Sequence, residues 1–489
     1  MYIFKTKPYK HQIECFNYAE THDRFLLADQ QGLGKTKEVI DIACNFKQKN
    51  KYEHCLIICG VNGLKWNWEQ EILIHSYETG HILGAKKKKN TVIIGSNENK
   101  LEDLENIDIL PYFIITNIES LRYKVKTGKT KTKRYRGRTT IVEEYKYPIT
   151  DKLVELCKSG KINMIAADEC HKMKNPESEQ GQQFLRLNAE IKIAMTGTPI
   201  LNTPLDLFII LKWLGYEDHS FWQFKSHYCR LGGYGGYEVI GYKNTQQLTD
   251  TLNQMMIRRL KKDVIDLPEK NYIIEYVEMS SRQKKIYDSI RNELLEEIDL
   301  ISSSSNPLSM LIRARQATGY TGILSSSVQE SAKLDRLEEI VQTIIEDGEK
   351  AVIFSNWTSI TDEIVNRLNK YSPLVITGET KDSDRQLLVN EFQTNDKNKI
   401  IIGTVGAMGT GLTLTAAQNV IFVDHPWTWG LYEQAIDRIH RIGQEKTITI
   451  YNIVTKNTID ERILDIIMNK KSISDYFLSK KDCISYLLS

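Results

Sequence analysis

The sequence of 489 residues lacks the marks of several protein classes. Its eight cysteines include no Cys-x-x-Cys pair, so the spacing indicates neither a disulfide framework nor a zinc finger. Cys55 and Cys59, near His54, are interpreted as small buried apolar residues of one strand. No apolar run reaches the roughly 18 residues of a membrane span, and residues 1–5 begin no hydrophobic signal core. We therefore expect a cytoplasmic protein, encoded either in a cellular genome or in that of a phage.

A strong charge of one sign is missing as well. Lys and Arg total 65 against 63 Asp and Glu, so the formal net charge is only +2. A global field that attracts nucleic acid is thereby excluded, and any such surface has to be a local cluster. The length is too great for one hydrophobic core, so we expect two or three domains.

Runs rich in Ile, Leu and Val alternate with helix-length segments, which is typical of parallel α/β units. The predicted fold class is therefore α/β, with ligands beyond the carboxyl ends of the strands. The predicted strands are 25–28, 55–59, 92–94, 112–115, 163–167 and 191–195 in the first half, and 351–355, 373–376, 399–402, 419–423 and 447–453 in the second.

A glycine-rich turn follows the first predicted strand, with the sequence Asp29-Gln30-Gln31-Gly32-Leu33-Gly34-Lys35-Thr36. Backbone N–H groups and a helix N-terminus would face a polyphosphate there. We expect Lys35 to supply positive charge and Thr36 to bind Mg²⁺ between the β- and γ-phosphates of ATP. Because Asp29 stands where the strict template has glycine, a chance glycine turn stays open for this loop alone.

Two more polar motifs follow predicted strands. The strand 163–167 ends in Asp168-Glu169-Cys170-His171, and the strand 191–195 leads into Thr196-Gly197-Thr198-Pro199. We expect Asp168 to bind Mg²⁺ and Glu169 to orient and deprotonate the attacking water. The hydroxyls of the later motif are placed to sense the γ-phosphate. Three such motifs in this order disfavour three unrelated surface turns.

A further motif, Gln434-Ala435-Ile436-Asp437-Arg438-Ile439-His440-Arg441-Ile442-Gly443-Gln444, follows the segment 409–415. With the motifs above, the chain resembles a helicase superfamily two ATPase of the Swi/Snf-like branch over nearly its whole length. The resemblance implies two RecA-like P-loop lobes with parallel sheets, plus helical protrusions near the lobe junction. It also implies ATP- and Mg²⁺-driven movement along double-stranded DNA by a monomeric motor.

The resemblance assigns further roles. Arg438 and Arg441 lie three apart on a predicted helix, so we expect them to share a face and neutralise the γ-phosphate across the cleft. Gln12 is expected to read the adenine edge, and Gly411 and Gln434 to couple the nucleotide state to the second lobe.

The resemblance also divides the chain. Lobe one is predicted at 1–268 with a helical insert at about 203–262, and lobe two at 269–489 with a second insert at about 283–335. An extended connection is expected around 269–282. The serine run 302–305 indicates a loop tip.

Hydroxyls, amides and cations at loop ends suit a sugar-phosphate backbone. The resemblance assigns such contacts to Asn62, Lys65, Thr116, Asn356, Trp357, Thr377 and Thr404. Gly60 departs from the family, in which a proline is usual. Residues 124–138 add eight Lys or Arg without an acidic residue, including Lys129, Lys131, Lys133, Arg134 and Arg136. This segment predicts a basic hairpin that binds DNA, with a solvated tip as the alternative. For the shorter lysine run 86–89 the solvated tip is favoured.

Two other functions stay open. A strand-separating or annealing helicase would use the same chemistry, with 124–138 as its wedge. A nucleic-acid clamp subunit would bind without hydrolysing ATP. This function is disfavoured by the presence of Lys35, Asp168, Glu169 and Arg441.

Overall fold

The structure is a computed structural model of the chain. It describes residues 2–88, 91–94, 96–135, 138–173, 175–197, 203–233, 235–296, 311–409, 411–469 and 487. The chain forms two compact units, Met1–Ile265 and Asp266–Ser489. This division falls three residues before the boundary expected after residue 268.

The first unit is built around a parallel sheet of seven strands in the order β13-β1-β10-β9-β2-β6-β3. The strands of this unit are β1 (Arg24–Leu27), β2 (His54–Cys59), β3 (Gly80–Ile82), β4 (Ala85–Lys88), β5 (Thr91–Ile94), β6 (Phe113–Asn117), β7 (Val125–Tyr135), β8 (Arg138–Lys146), β9 (Ile162–Asp168), β10 (Ile191–Met195), β11 (Cys229–Gly232), β12 (Glu238–Tyr242) and β13 (Met256–Ile257). Every residue of β2, β6 and β10 is buried, as expected for strands covered by helices on both faces.

Eleven α-helices accompany these strands among the described residues of the first unit. They are α1 (Lys10–Ala19), α2 (Lys35–Asn50), α3 (Leu64–His75), α4 (Asn97–Glu105), α5 (Ile118–Leu121), α6 (Pro148–Lys158), α7 (Glu179–Phe184), α8 (Phe208–Leu214), α9 (Phe221–Tyr228), α10 (Thr245–Met255) and α11 (Lys261–Val264). Two separate apolar clusters pack on the two faces of the sheet.

Five of the six strands predicted for this unit are confirmed in the sheet. The sixth, 92–94, is confirmed as a strand, but it lies outside the parallel sheet because β5 pairs antiparallel with β4. A hairpin between neighbouring segments needs no crossover, so local pairing takes precedence there.

The insert predicted at 203–262 contains α8, α9 and α10 together with an antiparallel hairpin of β11 and β12. It ends in β13, which returns to the main sheet beside β1.

The second unit contains a parallel sheet of six strands in the order β14-β19-β18-β15-β17-β16. Its strands are β14 (Lys270–Val277), β15 (Ala351–Ser355), β16 (Leu374–Ile376), β17 (Ile400–Thr404), β18 (Asn419–Phe422) and β19 (Ile448–Thr455). Its helices are α12 (Ser281–Glu296), α13 (Ile312–Gly319), α14 (Ala332–Glu346), α15 (Thr358–Arg367), α16 (Asp382–Thr394), α17 (Val405–Met408), α18 (Trp429–Ile436) and α19 (Ile459–Met468).

All five strands predicted for the second unit are confirmed, and one was missed. The segment expected as an extended connection at 269–282 contributes β14 to the edge of the sheet before α12 begins. Helices α12 and α13, from the second predicted insert, pack on the core of this unit. The serine run 302–305 lies outside the described residues. Within the described part of the chain, every helix is too short or too polar to cross a membrane.

Residues 125–135 of the basic segment form β7, which pairs antiparallel with β8 in a two-stranded ribbon, a sheet of its own. The predicted antiparallel pairing is confirmed, but it extends beyond the segment 124–138, because β8 continues to Lys146. The second strand of the ribbon contributes two acidic residues, Glu143 and Glu144, and Glu143 pairs with Lys126 at 2.8 Å. The ribbon is therefore less basic than residues 124–138 by themselves.

Candidate nucleotide site

The glycine-rich loop lies between the carboxyl end of β1 and the start of α2. Gly32 and Gly34 both have a φ of 84°, a left-handed conformation that suits glycine. Gly34 is the N-cap of α2, so the first N–H groups of this helix open toward the loop. Lys35 Nζ donates to the carbonyls of Asp29, at 2.6 Å, and Gln30, at 3.4 Å. The backbone has the turn-then-helix form of an anion site.

Asp29 carries its carboxylate beneath this loop. It is fully buried, and its Oδ1 accepts hydrogen bonds from the backbone N–H of Arg259 at 2.9 Å and from Arg259 Nε at 3.0 Å. The same guanidinium donates to Glu38 Oε1 at 2.9 Å. Arg259 had no assigned role in the sequence, and Asp29 was expected to contact the nucleotide. The structure places the Asp29 side chain in a buried ion pair instead.

The segment that carries Arg259 pairs with the loop along its backbone. The N–H of Ala28 donates to Ile257 O at 2.7 Å, and that of Gln30 donates to Arg259 O at 3.0 Å. The Gln30 side chain accepts from the N–H of Lys261 at 2.9 Å. Residues 257–261 therefore support the loop from the β13 side of the sheet.

Helix α1 holds the loop from another side. Gln12 is buried, its Nε2 donates to Leu33 O at 3.3 Å, and its Oε1 accepts from the N–H of Tyr9 at 3.0 Å. His11 Nε2 lies 2.9 Å from the same Leu33 carbonyl. The amide that was expected to read adenine is thus engaged at both ends by the protein backbone.

The carboxylate pair lies at the carboxyl end of β9, two strands from β1 in the sheet. Asp168 is buried, and its Oδ2 accepts from the indole Nε1 of Trp68 at 2.9 Å, while its Oδ1 accepts from the N–H of Glu169 at 2.8 Å. Burial raises the pKa of Asp168 to about 6, Glu169 adds to this rise, and the bond from Trp68 and the charge of Lys35 oppose it. The contact with Trp68 had no signal in the sequence.

Glu169 has a φ of 48°, a strained value for a residue with a side chain. Its Oε1 accepts from Gln31 Nε2 at 3.5 Å, and its Oε2 lies 3.2 Å from His171 Nδ1. The same His171 nitrogen lies 3.0 Å from the hydroxyl of Thr196 at the end of β10. The structure therefore brings all three predicted phosphate motifs together at one sheet edge. Residues 198–199 of the third motif lie outside the described residues.

The arginine motif of the second unit departs from the predicted helix. Helix α18 ends at Ile436, and the chain then turns. The carbonyl of Arg438 accepts from the N–H of Leu414 at 2.9 Å, and Gln444 Nε2 donates to Ala417 O at 2.9 Å. Pairing with the neighbouring loop replaces the helical ladder, so the expectation of one helical face for Arg438 and Arg441 is wrong.

The two arginines also differ in their surroundings. Arg438 is buried and its Nε donates to the carbonyl of Gln434 at 3.1 Å. Arg441 is half-buried and donates to the Thr413 hydroxyl at 2.8 Å. Gly411, two residues before Thr413, has a φ of 73°.

The residues of the first unit that were predicted to contact nucleic acid differ in their exposure to solvent. Asn62 is exposed in the turn after β2, and Lys129 is exposed in β7. Lys65 is only 2 % exposed and Thr116 only 1 %, so neither side chain is presented to solvent. Lys131, Lys133 and Arg134 belong to β7, and Arg136 lies outside the described residues.

In the second unit, Asn356, Trp357, Thr377 and Thr404 all lie at the carboxyl ends of neighbouring strands β15, β16 and β17. Asn356 donates to His425 O at 2.7 Å, and Trp357 packs on the buried Arg315 guanidinium at 4.9 Å. The hydroxyl of Thr404 accepts from the N–H of Ala407 at 3.3 Å, as the N-cap of α17.

Comparison with known proteins identifies two matching domain families. The SNF2-related domain matches residues 11–322, well over half of the chain, and the helicase conserved C-terminal domain matches residues 332–443. An uncharacterized ATP-dependent helicase of Mycoplasma pneumoniae is 26 % identical over 92 % of this chain and 39 % of its own length. A putative ATP-dependent helicase/translocase of Bacillus subtilis is 24 % identical over 94 % of this chain and 47 % of its own length.

The chain spans less than half the length of these two relatives. A solved Sulfolobus solfataricus SWI2/SNF2 ATPase core in complex with dsDNA aligns with all of this chain and 96 % of its own, at 24 % identity and a TM-score of 0.42. On the strength of the matched domains, this chain belongs to the SNF2-related family.

Proposed function

We propose that the chain is an ATP-dependent motor that moves along double-stranded DNA. The observation that carries this proposal is the contact between the glycine-rich loop and the carboxylate pair. Gln31 Nε2 of the loop lies 3.5 Å from Glu169 Oε1. Lys35 would neutralise phosphate charge, and Glu169 would orient the water that attacks the γ-phosphate. The relatives named as ATP-dependent helicases support the same activity.

Magnesium fits the chemistry of the available donors. The carboxylate of Asp168 and the hydroxyl of Thr36 are hard oxygen ligands of the kind that Mg²⁺ prefers. The bound ion would neutralise charge on the β- and γ-phosphates. The Asp168 carboxylate is already oriented by Trp68 and by the Glu169 N–H, as an outer shell orients a metal ligand.

The second unit would complete the site when the two units close on ATP. Arg441 is the better candidate to reach the γ-phosphate, since Arg438 is 7 % exposed and bonded to its own segment. Residues Asn62, Asn356, Trp357, Thr377 and Thr404 would contact the DNA backbone from the two units. Closing and opening with each ATP would then advance the motor along one strand.

The test is phosphate release with duplex DNA, single-stranded DNA and RNA at one salt concentration. We expect duplex DNA to stimulate most. Lys35→Ala and Glu169→Gln should lower the stimulated rate by at least a hundredfold, while Lys172→Ala, an exposed lysine three residues beyond Glu169, should leave it unchanged. If wild-type protein releases no phosphate above the level of Glu169→Gln, the clamp function is correct instead.

The β7–β8 ribbon favours a second candidate, a strand-separating helicase, because an isolated two-stranded ribbon can act as a wedge. Triplex displacement measured beside duplex unwinding separates the two functions. A motor that only tracks removes the third strand and leaves the duplex intact. Unwinding that disappears when residues 125–146 are replaced by a short glycine-serine link would establish the wedge.

A further inference from the structure

We propose that Trp68 is a positioning residue that links the turn at residues 60–63, here called the Gly60 turn, to the carboxylate of Asp168. This inference rests on the proposed function. It goes further by naming the route through which a nucleic acid bound at the turn would stimulate ATP hydrolysis.

The first link is the backbone of the Gly60 turn. The N–H of Gly60 donates to the carbonyl of Asp168 at 2.8 Å. A Cβ at this position would stand 2.6 Å from the carbonyl oxygen of Glu169 and 2.9 Å from that of Asp168. The turn is therefore in direct contact with the backbone of both catalytic carboxylates, and a proline there would lose the donor.

The second link is the helix that the turn begins. Helix α3 starts at Leu64, and Trp68 lies one turn into it with no exposed surface. Its indole N–H donates to Asp168 Oδ2 at 2.9 Å. The turn and the helix thus engage Asp168 at two points, once at the main chain and once at the side chain.

The third observation is the position of Asn62. It is exposed in the same turn, two residues from Gly60 and six from Trp68. A backbone phosphate bound there would act on a turn that bonds to the Asp168 main chain through Gly60 and that leads into α3, which carries Trp68. Buried Leu64, Trp66 and Ile72 anchor the rest of that helix.

The chain offers a matched control in the same helix. The indole Nε1 of Trp66 is buried and has no acceptor among the described residues. Trp66→Phe and Trp68→Phe therefore each remove one indole N–H from α3, but only the second removes a bond to Asp168.

The experiment measures Mn²⁺ binding to the full chain with ADP by electron paramagnetic resonance, and the ratio of DNA-stimulated to basal turnover. We expect Trp68→Phe to weaken Mn²⁺ binding about tenfold, as loss of outer-shell support does, and to reduce the stimulation ratio. Trp66→Phe should change neither by more than about twofold. Equal Mn²⁺ affinity and stimulation in the two variants overturns the inference, whereas wild type that binds no Mn²⁺ with ADP overturns the proposed function and the inference together.

A second measurement uses the unaltered chain. With ¹⁵N-labelled tryptophan, duplex DNA should shift the indole resonance of Trp68 more than that of Trp66. An unmoved Trp68 resonance in saturated complex overturns the inference even if the Trp68→Phe variant fails to fold.

Discussion

Replacement of Arg259 by methionine tests the buried ion pair beneath the glycine-rich loop. Methionine keeps most of the aliphatic volume and removes the guanidinium. The Asp29 carboxylate, with no exposed surface, would lose its bonds from Arg259 Nε and Nη2 and keep only the bond from the backbone N–H. Arg258→Met is the matched control, because that neighbouring arginine is exposed.

The magnitude follows from burial. Removing one partner of a buried ion pair costs about 3–5 kcal/mol, because the other charge stays desolvated. The Arg259 side chain is 13 % exposed, so solvent screening is slight. A domain has about 5–15 kcal/mol of unfolding free energy in total. Arg259→Met should therefore lose a large fraction of the stability of the first unit.

Equilibrium urea unfolding, followed by tryptophan fluorescence, measures the change. Hydrogen exchange of peptides from β1 and α2 assigns it to the loop. Adding Asp29→Asn to Arg259→Met should recover part of the loss, since the uncompensated charge is then gone. If Arg259→Met and Arg258→Met differ by less than about 0.5 kcal/mol, the ion pair does not support the loop as argued.

Two further predictions concern the same unit. Gly60→Ala should reduce ATP turnover much more than it reduces the free energy of unfolding, because the added Cβ would press on the Glu169 carbonyl. Turnover and urea unfolding, measured on one preparation, check this prediction. A variant with wild-type turnover would contradict it. Burial raises the pKa of Glu38 to about 8, so this group is protonated in the folded state and ionised in the unfolded chain near neutrality. Its contribution to stability is complete below its unfolded pKa of 4.5 and is lost as pH rises through 8. Glu38→Gln should therefore flatten the fall in unfolding free energy across that range, and parallel curves for variant and wild type would refute this.

Much of the architecture follows from local pattern. Short apolar runs that end in polar motifs predicted ten of the sheet strands, and a parallel sheet places the ends of such strands at one edge. The glycine-rich loop and the carboxylate pair were found in this way. Segment 92–94 was assigned to the wrong sheet and β14 was missed, because strand pairing depends on neighbours that periodicity does not reveal.

The sequence by itself identified the three predicted phosphate motifs of the first unit, since each is read along a few consecutive positions. Only the tertiary structure decided what holds them. Arg259 meets Asp29 across 230 residues, and Trp68 meets Asp168 across 100. It also ended the predicted arginine helix at Ile436, where contacts with another loop replace helical hydrogen bonds. A buried polar group has to be paired, but the partner is whichever group the fold brings near.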